Sequence, residues 1–141
     1  MKPSLVPGIS LTHKFVVTDR KTVPSLYPES DEFCAMPEVF ATGFMVGFIE
    51  WACIKALMPH LDEGEQTVGT HVNVSHQAAT PIGMEVSANV ELVEFDGKRL
   101  VFSIEAFDER DLISKGTHER FVINRKRFDS GLLEKSSGQP S

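Results

Sequence analysis

The stretch PEVFATGFMVGFIEWACIKALMPHL, residues 37–61, is almost wholly apolar but carries Glu50 and Lys55 near its middle. A helix that spans a membrane needs about 20 mostly apolar residues, and these two charges interrupt the run. A helix that protein covers on most sides explains why apolar residues surround its whole circumference. The stretch therefore predicts a buried helix that begins near Pro37 and ends near Pro59.

The rest of the chain is typical of β-strands. Apolar and polar residues alternate over residues 84–92, as expected for a strand with one buried face. Asp96 and Gly97 form a typical hairpin turn, after which the alternation resumes over residues 100–106. Three further strands are predicted over residues 13–18, 67–79 and 113–123.

One apolar helix and five antiparallel strands belong to the α+β class. By analogy with known folds, they suggest the hotdog fold, a curved antiparallel β-sheet wrapped around one long central α-helix. A single helix covers only one face of such a sheet, so an edge strand and some apolar surface remain. We therefore expect a dimer.

Length and composition describe one soluble domain. The 141 residues fit a single domain at residues 1–128, followed by a flexible tail at 129–141 that is rich in Ser and Gly. Cys34 and Cys53 cannot form a disulfide framework, and no secretory signal is recognisable, so we expect a cytoplasmic protein. The net charge of −6 disfavours nucleic-acid partners, and we expect no membrane partner.

Several long motifs carry a resemblance to a known family. They are KTV with LYPES in residues 21–30, PEVFATGFMVGFIEWAC in 37–53, VGTHVNVSHQAATPIG in 68–83 and GTHER in 116–120. Over residues 13–128 the chain resembles the fluoroacetyl-CoA thioesterase family of hotdog enzymes. The resemblance implies a homodimer that hydrolyses a short-chain acyl-CoA thioester, with fluoroacetyl-CoA as one candidate. It implies no metal and no organic cofactor, because coenzyme A enters only as part of the substrate.

The resemblance also implies the site residues. By the motifs ATGF, GFIEWA and VSHQAAT, it assigns catalytic roles to Thr42, Glu50 and His76. It further implies that Gly69 and Arg120 line the acyl pocket. Without the resemblance, Arg120 on a late strand would be interpreted as part of a surface ion pair.

The chemistry of these residue types leaves alternatives open. A carboxylate on an apolar helix favours its neutral form unless a cation or donors hold it ionised, and His76 could be that partner of Glu50. Such a carboxylate can act as a base toward water or attack the thioester carbonyl directly. Taken alone, Glu50 could equally be a structural carboxylate.

Thr42 has two interpretations. A Thr just ahead of a helix is an ordinary N-cap, whereas the resemblance favours a hydroxyl oriented by His76. On one straight helix, Thr42 and Glu50 would lie about 12 Å apart along the axis. Either Thr42 therefore lies in a turned segment before the helix, or the site is completed across a dimer interface.

Two observations concern ligands. His71 and His76 are an odd number of residues apart, so a regular strand points them to opposite faces, and we expect no catalytic metal. In the family, aromatic side chains ahead of the helix help form a lid over the acyl pocket. The loop DEFCAMPEVF keeps Phe33 but has Met36 where a second Phe is expected, which weakens the expectation of fluorine selectivity.

Other functions remain open at this point. A non-catalytic module that binds or senses acyl-CoA could use the same pocket, and a structural dimer would need no ligand. Hydration or dehydration of an acyl thioester is an enzymatic alternative, because hotdog proteins also perform it. A binding module has no need for a base and a hydroxyl beside the carbonyl, so the set of Thr42, Glu50 and His76 favours the thioesterase.

Overall fold

The computed structural model describes residues 1–138. Its elements are β1 Ser10–Val16, α1 Asp31–Cys34, α2 Thr42–Leu57, β2 Glu65–Val74, β3 Glu85–Phe95, β4 Arg99–Phe107, β5 Leu112–Asn124 and α3 Arg125–Ser136. The five strands form one antiparallel sheet in the order β1-β3-β4-β5-β2, with β1 and β2 at its edges. All five predicted strands are confirmed.

The core lies between α2 and the inner face of the sheet. The alternation predicted for β3 and β4 is confirmed, since the inner face buries Val86, Ala88, Val90, Leu92, Leu100, Phe102, Ile104 and Ala106; Val101, between two of these positions, is also buried. The helix contributes Met45, Phe48, Ile49, Ala52, Cys53, Ala56 and Leu57 to the same core. Asp96 and Gly97 form the predicted turn, in which Gly97 has a φ of 103° and the Asp96 carboxylate accepts from two backbone amides.

The start of α2 differs from the prediction. Residues 37–41 are extended instead of helical: the amide of Phe40 donates to the carbonyl of Thr80, and that of Ala41 donates to Lys21. Because these backbone groups bond to distant segments, the helix begins only at Thr42. At its other end, Pro59 lies in a 3-10 turn, Met58–His60, as expected for an exit residue.

Two further features of the helices were not predicted. The outer side of α2 keeps Trp51, Ile54 and Met58 exposed in the single chain. The C-terminal segment forms α3, because Asn124 caps it and Arg125 pairs with Asp129 one turn later. The prediction of a flexible tail did not anticipate this helix, which buries none of its residues, and residues 139–141 of that tail lie outside the described chain.

None of the helices in residues 1–138 combines the length and the apolar character that a membrane crossing requires.

Candidate active site

Thr42 and His76 form one half of the candidate site. Ala41 occupies the N-cap position with extended backbone angles, so Thr42 is the first residue of α2 and its side chain is free for another contact. The Oγ1 of Thr42 lies 2.7 Å from Nδ1 of His76, which follows β2. The structure therefore brings together two of the residues that the sequence assigned, and the interpretation of Thr42 as an N-cap is wrong.

The protonation of His76 follows from its surroundings. Burial lowers the pKa of His76 below its ordinary value, so the ring is neutral at pH 7. A hydroxyl that donates to Nδ1 leaves the ring proton on Nε2. That Nε2 atom is buried and has no hydrogen-bond partner among the described residues. With the proton on Nε2, the hydroxyl of Thr42 faces a base, and Nε2 still offers a hydrogen bond.

A cavity of about 260 Å³ opens beside this pair. It is lined by Val23, Val39, Phe40, Thr42, His76, Gln77, Ala78 and Ala79. Five of these side chains are apolar. The polar side chains that a small ligand would meet in the cavity are those of Thr42, His76 and Gln77.

Glu50 and Arg120 form the other half. Nη1 of Arg120 donates to Oε2 of Glu50 at 2.8 Å. The side chain of Arg120 is 3% exposed, whereas that of Glu50 is 36% exposed. The interpretation of Arg120 as part of a surface ion pair is therefore wrong. Within one chain, the cation beside Glu50 is Arg120, and His76 does not contact this carboxylate.

Two residues that the sequence did not assign hold Arg120 in place. Its Nε donates to the hydroxyl of Thr67 and its Nη2 to the carbonyl of the same residue, each at 2.9 Å. Its Nη1 also lies 3.2 Å from Nε2 of His118. His118 and Arg120 lie two residues apart on β5 and share a face, whereas Thr67 lies 53 residues from Arg120 and nothing in the sequence identified it.

Gly69 leaves room for the carboxylate. It pairs with Arg120 in the β2–β5 register, next to an irregularity between Gly69 and His71. A Cβ at this position would lie 2.5 Å from Oε2 of Glu50 and 3.3 Å from Nη1 of Arg120. The backbone of β2 therefore approaches the ion pair more closely than any side chain would allow.

The two halves are separate within one chain. Thr42 and Glu50 lie on the same helix, α2, and the spacing of eight residues places them about 12 Å apart along its axis. The alternative of a turned segment before the helix is excluded, because Thr42 is itself helical.

The predicted lid residues lie in and after α1. Ser30 caps this helix by accepting from the amide of Phe33. The ring of Phe33 packs 5.4 Å from that of Tyr27, and Met36 is 51% exposed. The same segment touches α2 through Leu26, whose Cδ1 would lie 3.1 Å from a Cβ at Gly43. The segment therefore rests on the helix one residue beyond Thr42.

The donor set for a metal is poor. Within residues 1–138, no three or more His, Cys, Asp and Glu side chains are grouped so that they could hold an ion. Operation without a metal stays a prediction.

The class of protein follows from the fold. A hot-dog-like protein from Thermanaerovibrio acidaminovorans has a TM-score of 0.78 to this structure, covering 95% of this chain and 93% of that chain at 22% identity. The chain described here has the same arrangement of an antiparallel sheet around one long helix, so it has a hotdog fold, as predicted.

The family follows from closer relatives. The sequence profile described as fluoroacetyl-CoA-specific thioesterase matches residues 17–126. The fluoroacetyl-CoA thioesterase of Streptantibioticus cattleyicolor is 48% identical over 136 residues, which is 96% of this chain and 98% of that protein. A solved structure of the fluoroacetyl-CoA thioesterase has a TM-score of 0.91 at 48% identity, covering 94% of this chain and 98% of that chain. This chain belongs to the fluoroacetyl-CoA-specific thioesterase family, which confirms the resemblance seen in the sequence.

Proposed function

We propose that this protein hydrolyses a short-chain acyl-CoA thioester to the free acid and CoA. The observation that carries the proposal is the hydrogen bond of 2.7 Å between the hydroxyl of Thr42 and His76, in a member of a thioesterase family. A hydroxyl held against a neutral imidazole is the arrangement that nucleophilic and general-base catalysis require. Glu50 supplies a carboxylate that Arg120 orients through a hydrogen bond of 2.8 Å.

Two chemical routes use these groups. In the first, Glu50 accepts a proton from water, the water oxygen bonds to the thioester carbon, and the C–S bond breaks to release CoA thiolate. In the second, a protein oxygen bonds to the carbonyl carbon, either that of Thr42, whose proton passes to His76, or that of the Glu50 carboxylate. The C–S bond breaks to release CoA thiolate, and water then cleaves the acyl-enzyme to the free acid. A single turnover in ¹⁸O water, followed by mass spectrometry of the protein, detects an acyl-Glu50 intermediate that water cleaves at the Glu50 carboxyl carbon, because only that cleavage puts ¹⁸O into the side chain. Acid quenching during turnover, followed by mass spectrometry of the intact protein, detects an acyl group on Thr42 or Glu50, which the first route never forms.

We further propose that the site is shared between two copies of the chain. The support is the separation of about 12 Å between the two halves and the buried Nε2 of His76 without a partner among residues 1–138. Edge strand β2 and the exposed apolar side of α2 are surfaces that a second copy would cover. In this arrangement, Glu50 of one copy faces the Thr42–His76 pair of the other.

Mixing inactive variants tests this sharing. His76→Ala and Glu50→Gln chains are unfolded together and refolded at equal amounts, so half of the dimers combine one chain of each kind. Each mixed dimer then has one site with intact Thr42, His76 and Glu50, and activity returns to about a quarter of the wild-type rate. No recovery above the separate variants, or a monomeric mass by light scattering at micromolar concentration, would contradict the shared site.

Release of free thiol tests the activity itself. The panel contains fluoroacetyl-CoA, acetyl-CoA and propionyl-CoA, each with Glu50→Gln and His76→Ala in parallel and with the exposed Glu63→Gln as a matched control. We expect both site variants to lose about 10² to 10⁴ of the rate and the control to lose none. Absence of thiol release from every substrate would indicate a binding module, and unchanged rates in both site variants would contradict the mechanism.

The acyl preference and the cofactor requirement belong to the same panel. Met36 is flexible and half exposed, so we expect a smaller preference for fluoroacetyl-CoA over acetyl-CoA than an aromatic lid would give. We expect the rate to be unchanged by EDTA, since no metal takes part.

We also propose a cytoplasmic location, which the two free cysteines support and cell fractionation would check.

A further inference from the structure

His118 is a buried histidine outside the set of Thr42, Glu50 and His76. It lies on β5 with no exposed surface, two residues before Arg120 and on the same face. Its Nδ1 lies 2.8 Å from the carbonyl oxygen of His71 on β2. Its Nε2 lies 3.2 Å from Nη1 of Arg120 and 3.9 Å from Oε2 of Glu50.

These contacts fix the tautomer of the ring. A carbonyl oxygen can only accept, so Nδ1 carries the hydrogen and donates to His71. Nε2 therefore presents a lone pair, and it accepts from the guanidinium of Arg120, which has donors only. Burial is the main reason why the pKa of His118 lies below its ordinary value, and this lowered pKa agrees with a neutral ring.

The lone pair of His118 restricts how Arg120 can turn. The Nη1 atom has two hydrogens, and the structure uses one toward Glu50 and the other toward His118. Thr67 takes hydrogen bonds from Nε and Nη2 on the other side of the guanidinium. A charged donor in a buried site gains most from acceptors in fixed positions, because leaving one of its hydrogens unpaired costs free energy.

We propose that His118 is a positioning residue for thioester hydrolysis: its neutral ring orients Arg120, and Arg120 orients the carboxylate of Glu50. This inference rests on the proposed function, in which Glu50 acts on the substrate. His118 itself touches no reacting atom in this arrangement. Its loss should therefore lower the rate of the chemical step and leave substrate binding almost unchanged.

A pair of amide substitutions separates the two ends of the ring. Glutamine places its amide near the position of Nε2, so His118→Gln keeps an acceptor for Arg120. Asparagine places its amide near the position of Nδ1, so His118→Asn keeps the donor to His71 and loses the acceptor. We expect His118→Asn to lower kcat about tenfold or more with KM within about twofold, and His118→Gln to stay within about threefold of wild type.

The control is His60→Gln, a half-buried histidine whose ring contacts Ser4 and none of the site residues, and its rate should match wild type. Urea unfolding of each variant accompanies the kinetics. Equal losses in the Asn and Gln variants, losses that follow the free energy of unfolding, or a change in KM alone would overturn the positioning role.

NMR of the wild-type protein tests the inference without any substrate. ¹⁵N shifts should show His118 with its proton on Nδ1, and a coupling across the hydrogen bond should join Nε2 to Nη1 of Arg120. A proton on Nε2, or no coupling, would overturn the inference even if both variants fail to fold. If the NMR result is as expected but no acyl-CoA is cleaved, the proposed function fails and the contact of His118 with Arg120 stands.

Discussion

The two halves of the proposed site rest on the same helix but are held in different ways. Thr42 is exposed and makes a single hydrogen bond to His76, which comes from the loop after β2. Glu50 faces Arg120, a buried side chain whose guanidinium bonds to three different residues. The comparison teaches that the hydroxyl half can adapt to a ligand, whereas the position of the carboxylate half is fixed by the folded sheet.

Among the variants that compare the two halves, the largest effect is expected for Arg120→Lys, which breaks the fixed half. A lysine keeps the charge but cannot reach Glu50, Thr67 and His118 at once, because it lacks the planar fork of arginine. We expect kcat to fall about 100-fold and the free energy of unfolding to fall by about 2 kcal/mol or more. Steady-state kinetics and urea unfolding measure the two quantities, and a lysine variant with wild-type values would refute the fixed position of Glu50.

Thr42→Ala tests the adaptable half. Because its hydroxyl makes one exposed contact, we expect a loss of about 10- to 100-fold in kcat with little change in the free energy of unfolding. Thr42→Ser keeps the hydroxyl and should recover most of the rate, while Thr42→Val keeps the shape and should not. An active valine variant would show that the hydroxyl has no chemical role.

Gly69→Ala moves the carboxylate without removing any charge. The new Cβ would lie 2.5 Å from Oε2 of Glu50, 3.2 Å from Cε1 of His118 and 3.3 Å from Nη1 of Arg120, so the carboxylate has to move and the two buried side chains have to give way slightly. We expect kcat to fall about tenfold and the free energy of unfolding to fall by about 1 to 3 kcal/mol. The matched control is Gly47→Ala, since a Cβ there meets nothing within 4 Å in the chain. An active Gly69→Ala enzyme would contradict the need for close approach.

The smallest effect is expected in the pH dependence of the free energy of unfolding. This prediction compares His76 with His118. Burial lowers the pKa of both His76 and His118 from the ordinary value of 6.5. Below that pH the unfolded chain binds more protons than the folded chain. The free energy of unfolding therefore keeps its full value above about pH 6.5 and decreases as the pH falls toward 5. His118→Gln should flatten this slope more than His76→Ala, because His118 is fully buried. Urea unfolding between pH 7 and pH 5 measures the slopes, and identical slopes in wild type and both variants would contradict the assignment.

The fold was largely predictable from the sequence because its signals are local. The alternation of β3 and β4 and the turn at Asp96 and Gly97 depend on neighbours only, and the structure confirms them. The start of α2 was predicted five residues early, because the backbone of residues 37–41 bonds to segments that are distant in sequence. Helix α3 was not predicted, because the Ser- and Gly-rich composition of the C-terminal residues indicated a flexible tail. The residue that caps this helix, Asn124, lies before that stretch.

The site was predictable only in part. The motifs named Thr42 and His76, and the structure places their side chains in contact. The contact of Glu50 with Arg120 was not predicted, because Arg120 is 70 residues away and a sequence does not show which cation the sheet brings beside a carboxylate. Thr67 and His118 carried no signal of their own, since their roles exist only through the register of β2 with β5.

Helix α2 has a further consequence for any redesign of this protein. It carries both halves of the site on one continuous backbone, eight residues apart. One residue inserted between them would turn Glu50 by about 100° around the axis and shift it by about 1.5 Å, away from Arg120. The helix therefore acts as a spacer of fixed length. Loops around the site can change in length, but the count of residues from Thr42 to Glu50 has to be kept.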